Sequence, residues 1–238
     1  MRAQSHVVGV ALMLGLAVVA LGALTVGVGS VVDSQASNAD VTRVAEVLGE
    51  ALEGVERTGP ATHQLSFTDG TLSTADRTLR VLENDTVVTR EAVDALVFES
   101  GDRRVASVAG AVVRGQEGNA WLVDGPPITS SNRTDVLVVG TPVLNTGHRT
   151  VSGQGGVTTT LQTNVSHAEY DLGTGEFAVA IETETPAAFE RYFETQGATT
   201  ERRTFPGDER ESVVANYPGQ RQAYLVVHDL QLEVHSGS

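Results

Sequence analysis

Hydrophobic positions divide the chain into three parts, and the first is apolar without interruption. Residues 7–32 contain two polar side chains, Thr25 and Ser30, and no charged one. As a helix this run would be about 39 Å long at about 1.5 Å per residue, which is enough to cross a bilayer. We therefore predict a transmembrane or filament-core helix over residues 4–32.

The second part has the period of an amphipathic helix. Between residues 41 and 55 apolar side chains recur every three or four positions, charged side chains stand between them, and Gly59 and Pro60 end the pattern. This spacing predicts a helix over residues 33–58 with one buried face. It either continues the apolar helix or is hinged to it near residues 34–38, where Ser and Asn favour a turn. The apolar positions are Val41, Val44, Ala45, Leu48, Leu52 and Val55.

After Pro60 the period changes to two, and short runs rich in β-branched residues alternate with turn signals such as Asp69-Gly70 and Asn84-Asp85. This predicts an antiparallel β-rich head over residues 60–238, with one further helix over Pro186–Gln196 that starts at a proline. The predicted fold class is therefore α+β, with a long N-terminal hydrophobic helix continuing into an amphipathic helix that packs on the head. The predicted strands are 63–67, 78–82, 86–89, 95–99, 105–113, 120–123, 135–139, 157–165, 177–181, 199–205, 211–215 and 223–234.

Two glycine-rich stretches interrupt these strands. Residues 151–156 predict either a linker between two sheets or an exposed hairpin loop. Residues 171–176 alternate carboxylates with glycines but lack the ligand spacing of a calcium-binding EF-hand loop. We therefore predict a hairpin turn there.

Charge is distributed unevenly. The chain has 16 basic residues, all of them arginine, and 30 acidic ones, for a net charge of −14. A protein this acidic is disfavoured as a nucleic-acid binder, since it repels phosphates. Arginine without lysine, together with abundant carboxylates, is typical of halophilic archaea, although a moderately acidic mesophilic protein is the alternative. The absence of cysteine excludes disulfides, thiolate metal sites and thiol catalysis.

The flanks of the apolar run predict its orientation. Arg2 precedes the run and Asp33 follows it, so the N-terminus is expected in the cytoplasm and the body outside a cell membrane crossed once. Three fates compete for the run: a prepilin-type leader, an uncleaved anchor and an ordinary secretory leader. Its length favours the first two over the third. Small residues that would lie along one helical stripe could pack neighbouring helices, or could reflect the frequency of glycine in membrane helices. They are Ala11, Gly15, Gly22 and Gly29.

Residues 1–9 resemble the leader junction of archaeal type IV pilins and archaellins, with Arg2 and Ala3 before Gln4 and the apolar run. Residues 99–105 and 121–128 add a resemblance to uncharacterised pilin-like surface proteins of halophilic archaea. The resemblance implies a leader of residues 1–3 cut between Ala3 and Gln4. It also implies a prepilin peptidase and other pilin-like subunits as partners. Val8 stands where bacterial pilins usually carry glutamate.

Candidate chemistry is sparse. The histidines show no metal-ligand spacing, and neither a nucleophile elbow nor a phosphate-binding loop occurs. We therefore expect no catalytic residue, no metal and no cofactor. Asn84, Asn132 and Asn164 begin N-x-S/T sequons and are candidate N-glycosylation sites, the first two in turns and the third in a strand.

These patterns favour a pilin-like cell-envelope protein that is anchored in the membrane or built into a surface filament. Its acidic head would serve adhesion or surface structure outside the cell. One alternative is a membrane-anchored binding domain that does not polymerise. The other is a tethered extracellular enzyme.

Overall fold

The computed structural model describes residues 35–52, 57–116 and 118–236. Strands make up 61% of these residues and helices 14%. Helix α1 spans residues 35–52, and helix α2 spans Pro186–Thr195. The strands are β1 (Gly59–Ala75), β2 (Thr78–Glu83), β3 (Thr86–Ala92), β4 (Ala95–Ser100), β5 (Arg103–Val108), β6 (Ala111–Gln116), β7 (Asn119–Asp124), β8 (Ile128–Ser131), β9 (Val136–Val143), β10 (Thr150–Gly175), β11 (Phe177–Glu182), β12 (Thr199–Arg203), β13 (Ser212–Asn216), β14 (Arg221–Asp229) and β15 (Glu233–Ser236).

The strands form two sheets. The larger has ten strands in the order β7-β6-β5-β4-β1-β10-β14-β9-β8, with β15 also paired to β10. Its pairs are antiparallel except β14 with β9. The smaller sheet has five strands in the order β12-β13-β11-β2-β3. Strand β10 holds the larger sheet together, because its first part pairs with β1 and its last part with β14.

The two sheets enclose the main core. Strand β4 shows how the sequence builds it, since Ala95 and Val97 face the smaller sheet while Leu96 and Phe98 face the opposite side. Successive side chains on a strand point to opposite faces, so a run that is apolar throughout becomes buried on both. The larger sheet is therefore the middle of three layers.

Helix α1 forms the third layer. Its apolar face, which includes Val44 and Leu48, packs with Phe98 on the outer side of the larger sheet. The buried carboxylate of Asp40 fastens the helix there by accepting hydrogen bonds from the backbone N–H groups of Thr68 at 2.8 Å and Asp69 at 3.2 Å. These two donors lie at the irregularity of β1, where the regular ladder is interrupted.

Helix α2 closes one end of the space between the sheets with Phe189 and Phe193, both fully buried. Proline suits its first position because the N–H that proline lacks has no partner in the first turn. Gly197, at φ +81°, ends it, and Ala198 N–H donates to Phe193 O at 3.1 Å, as in a Schellman motif. The predicted helix over Pro186–Gln196 is confirmed to within a residue.

The predicted fold class is wrong. The described chain is mostly β with two helices, and it contains no long N-terminal helix running into an amphipathic one. Neither helix of the described chain has both the length and the apolar character needed to span a bilayer. The predicted helix over residues 4–32 lies outside the described residues. The expected single-pass membrane localisation with an outer head is accordingly contradicted.

Both loop predictions are also wrong. Residues 151–156 lie inside β10, where Gly153 pairs with Gly70 and Gln154 with Asp69. Residues 171–175 also belong to β10 and pair with β14, so they form no hairpin turn. The next strand, β11, lies in the other sheet. Glycine is common in loops, which is why both stretches resemble loops in the sequence, whereas these glycines lie in strands.

Candidate functional site

A cleft of about 630 Å³ opens between strands β4–β7 of the larger sheet and the segment that joins β11 to α2. Its floor consists of small apolar side chains that belong to the main core, among them Ala95, Val108 and Val113. Its walls are charged. They carry four arginines, Arg77, Arg103, Arg104 and Arg210, and four carboxylates, Glu99, Asp102, Glu184 and Glu211.

Four separate parts of the chain supply the charged groups. Arg77 lies in the turn between β1 and β2, and Arg104 lies on β5 two residues before Ala106, on the same face. Glu184 lies in the short connection between β11 and α2, and Arg210 in the loop before β13. No single stretch of the sequence contains all of these charged residues. Only the pairing of the strands brings them together.

Glu184 is at the centre of this cluster. Its Oε1 atom lies 2.5 Å from Arg77 Nη2 and 3.3 Å from Arg210 Nε. Its other oxygen, Oε2, pairs with Nη1 of Arg104. One carboxylate thus contacts three guanidinium groups, using both of its oxygens.

A second carboxylate, Glu182, holds the walls of the cleft in place. It is 2% exposed and accepts hydrogen bonds from the backbone N–H groups of Thr78 at 3.1 Å, Glu209 at 2.9 Å and Arg210 at 3.0 Å. These donors belong to the start of β2 and to the loop before β13. Glu182 therefore ties together the backbone segments next to Arg77 and Arg210.

Burial sets the electrostatics of the arginines. It lowers the pKa of Arg77, which the nearby Glu182 raises and Arg210 lowers further. Burial likewise lowers the pKa of Arg104, where Glu99 acts in the opposite direction and Arg77 in the same one. Guanidinium groups remain charged at neutral pH. The cluster is therefore a set of partly desolvated positive charges that an anion stabilises.

Part of the donor capacity of this cluster is unused. The buried Nε atoms of Arg103 and Arg104 have no hydrogen-bond partner among the described residues. Glu99 Oε1 lies 3.8 Å from Arg104 Nε, which is too far for a hydrogen bond. Buried donors without acceptors are unfavourable. An oxygen-bearing anion that enters the cleft can supply the missing acceptor, so the arrangement is suited to anion binding.

The structure also brings two histidines together. His167 and His228 are directly paired across β10 and β14, with their Nδ1 atoms 2.9 Å apart and their rings edge to face. No spacing in the sequence predicted this pair, since 61 residues separate the two histidines. Across residues 35–52, 57–116 and 118–236, no group of three or more potential metal ligands occurs.

The three sequon asparagines are all exposed. Asn84 lies in the turn between β2 and β3 at φ +47°, Asn132 follows β8, and Asn164 is in β10. Asn132 Oδ1 accepts a hydrogen bond from Arg221 Nη2 at 2.5 Å, and Asn164 Nδ2 donates one to Gln231 Oε1 at 3.3 Å. Arg2, Ala3 and Gln4, named for processing, and Ala11, Gly15, Gly22 and Gly29, named for helix packing, lie outside the described residues.

Sequence reasoning missed the arginine cleft altogether. The stretch 99–105 contains Glu99, Arg103 and Arg104, but it pointed only to a family resemblance. Two adjacent arginines in a strand are one signal of such a site that the sequence contains. Adjacent side chains point to opposite faces of a sheet, so at least one of the two arginines must lie on a covered face. Nothing local connects them with Glu184.

Comparison with known proteins adds a family. The model of DUF7289, a family of unknown function, matches residues 2–233 of the chain. No curated protein and no solved structure matches the chain.

Proposed function

The chain belongs to DUF7289, a family of unknown function, and we propose that it is a non-catalytic binding protein whose arginine-lined cleft holds an anionic group of its ligand. The acidic, β-rich domain around the cleft acts as the scaffold of an adhesive or ligand-recognising head. The observation that carries the proposal is the convergence of Arg77, Arg104 and Arg210 on a single carboxylate.

Guanidinium groups support this function better than they support proton transfer. Arginine stays protonated near neutral pH, and its planar fork matches the two oxygens of a carboxylate. A buried positive charge also loses hydration, so Arg77, which is 3% exposed at its side chain, gains most from a bound anion. Both features favour retention of an anionic ligand over chemical conversion of it.

The net charge of −14 restricts the ligand. A large polyanion is repelled by the surface before it reaches the cleft. A small molecule, or a partner that presents one anionic group, avoids most of that repulsion. Salt weakens this repulsion, because at about 1 M it screens exposed charges beyond about 3 Å, but it acts much less on buried pairs such as those of the cleft.

A binding titration tests the proposal. Acetate, benzoate, inorganic phosphate and sulfate are titrated into the full chain at constant ionic strength by calorimetry. We expect saturable binding of at least one anion. Arg104→Gln should weaken it about tenfold to a hundredfold, since a charge-assisted hydrogen bond contributes about 1.5–3 kcal/mol.

Arg114→Gln is the matched control. Arg114 lies on the neighbouring strand β6, where its guanidinium is 6.0 Å from the centre of the Trp121 ring, and it does not line the cleft. Its replacement should leave anion affinity unchanged. The proposal is wrong if the wild-type chain binds none of the four anions, or if Arg104→Gln binds them as tightly as the wild type.

A further inference from the structure

Glu184 differs from the buried carboxylates Asp40 and Glu182 in what it contacts. Asp40 and Glu182 both accept backbone N–H groups and so hold segments of the fold together. The contacts of Glu184 are with guanidinium side chains, those of Arg77, Arg104 and Arg210. Moving the Glu184 side chain therefore breaks none of these backbone hydrogen bonds.

We propose that Glu184 is an internal substitute for the ligand, and that the ligand carries a carboxylate on a compact apolar body which displaces Glu184 from the three arginines. This inference rests on the proposed function, because it assigns the chemistry of the group that the same cleft binds. The described structure is then the self-occupied form of the site.

The charges around the cleft agree with an exchange of one carboxylate for another. Four arginines and four carboxylates line the cleft, and Glu182 and Glu209 also lie near Arg77. A ligand that takes the place of Glu184 on the arginines therefore needs to supply one negative charge there, and a carboxylate at neutral pH carries one.

The position of Glu184 allows the exchange. It lies in a connection of three residues between β11 and α2, and its side chain is 24% exposed. Arg77, in contrast, is 3% exposed at its side chain. Arg77 therefore belongs to the wall. Glu184 lies at the open side with Arg104 and Arg210, which are 26% and 51% exposed at their side chains, and it can turn into solvent.

The floor of the cleft defines the rest of the ligand. Ala106, Ala120 and Pro186, which are partly exposed, present small apolar surfaces in the cleft, above the almost fully buried Ala95 and Val108. A flat ring or a short branched chain attached to the carboxylate would cover these side chains and gain from their contact. Phosphate and sulfate have no such body and carry their charge on a tetrahedral group.

An internal competitor weakens the apparent affinity of the ligand. If the arginines are free of Glu184 for only a fraction of the time, the apparent dissociation constant is the intrinsic one divided by that fraction. Removing the charge of Glu184 should therefore tighten binding. We expect Glu184→Gln and Glu184→Ala to bind benzoate at least about tenfold more tightly than the wild type, with a smaller gain for inorganic phosphate.

Glu190→Gln is the control, because Glu190 also makes a two-pronged contact with an arginine but lies outside the cleft. Its oxygens lie 2.6 Å and 2.8 Å from the Nε and Nη2 atoms of Arg202. This variant should bind benzoate like the wild type. Thermal unfolding gives a second readout: benzoate should raise the melting temperature of Glu184→Gln more than that of Glu190→Gln.

The outcomes separate this inference from the proposed function. If the wild type binds benzoate through Arg104 but neither Glu184 variant binds it more tightly, Glu184 is not a competitor and only this inference is wrong. An equal gain for phosphate and benzoate overturns the assignment of a carboxylate. If the wild type binds none of these anions, the proposed function is refuted as well.

Discussion

Replacing Glu182 with glutamine should destabilise the protein by about 2–3 kcal/mol. The two carboxylate oxygens accept three backbone N–H groups, those of Thr78, Glu209 and Arg210. A glutamine has one acceptor oxygen. If that oxygen remains with Glu209 and Arg210, the N–H of Thr78 faces an amide NH₂ group and loses its acceptor.

The magnitude follows from these contacts. A buried N–H left without a partner costs about 1–3 kcal/mol, and replacing a charged acceptor by a neutral one weakens each of the other two bonds by about 1 kcal/mol. Part of this loss is offset because a buried charge no longer has to be desolvated. The expected net change of about 2–3 kcal/mol is a large part of the stability of an ordinary domain.

Urea denaturation at fixed salt measures the effect, with the slope m compared between the variants. Glu169→Gln is the control, since Glu169 is exposed on β10 and a surface substitution of this kind changes stability by about 0.5 kcal/mol or less. A loss below about 0.5 kcal/mol for Glu182→Gln at unchanged m would refute the view that this carboxylate fastens the two loops.

Two further predictions concern other parts of the core. Phe98 is fully buried, its ring centre lies 4.9 Å from that of Phe67, and it joins α1 to the larger sheet. Phe98→Ala should therefore lower the free energy of unfolding, measured by urea denaturation, by about 3–5 kcal/mol. A loss under about 1 kcal/mol would show that this layer contributes little. Burial raises the pKa of Tyr217 well above its ordinary value of 10.0. Above about pH 10 the unfolded state therefore loses a proton that the folded state keeps, and the free energy of unfolding falls as the pH rises. Tyr217→Phe should remove part of this alkaline loss, as measured by thermal unfolding between about pH 8 and 11, and an unchanged pH dependence would contradict the assignment.

Local patterns located most of the secondary structure. Short runs rich in β-branched and other apolar residues, set between turn signals, marked segments that are strands in the structure, for example 78–82 within β2 and 177–181 within β11. Proline at the start and glycine past the end marked α2. These signals depend on residues close together in the sequence, so they predict helices and strands without knowledge of the fold.

The sequence did not predict which strands pair with each other over long sequence separations. The glycines of residues 151–156 suggested a loop, but β1 pairs with this segment and makes it part of a strand. The histidines 167 and 228 are remote in sequence and adjacent across two strands. Pairing register depends on which partner strand buries the most apolar surface, and that partner can lie anywhere in the chain.

The sequence by itself determined the acidic charge, the absence of thiol chemistry, the amphipathic character of α1 and the β-rich nature of the chain after Pro60, because composition and hydrophobic period are local properties. Only the tertiary structure decided that the larger sheet is covered on both faces and that Arg77, Arg104 and Arg210 surround Glu184. The physical reason is that charged side chains in a cleft are brought together by strand pairing over long sequence separations. Each of them reads locally as an ordinary polar residue at the end of a strand or in a turn.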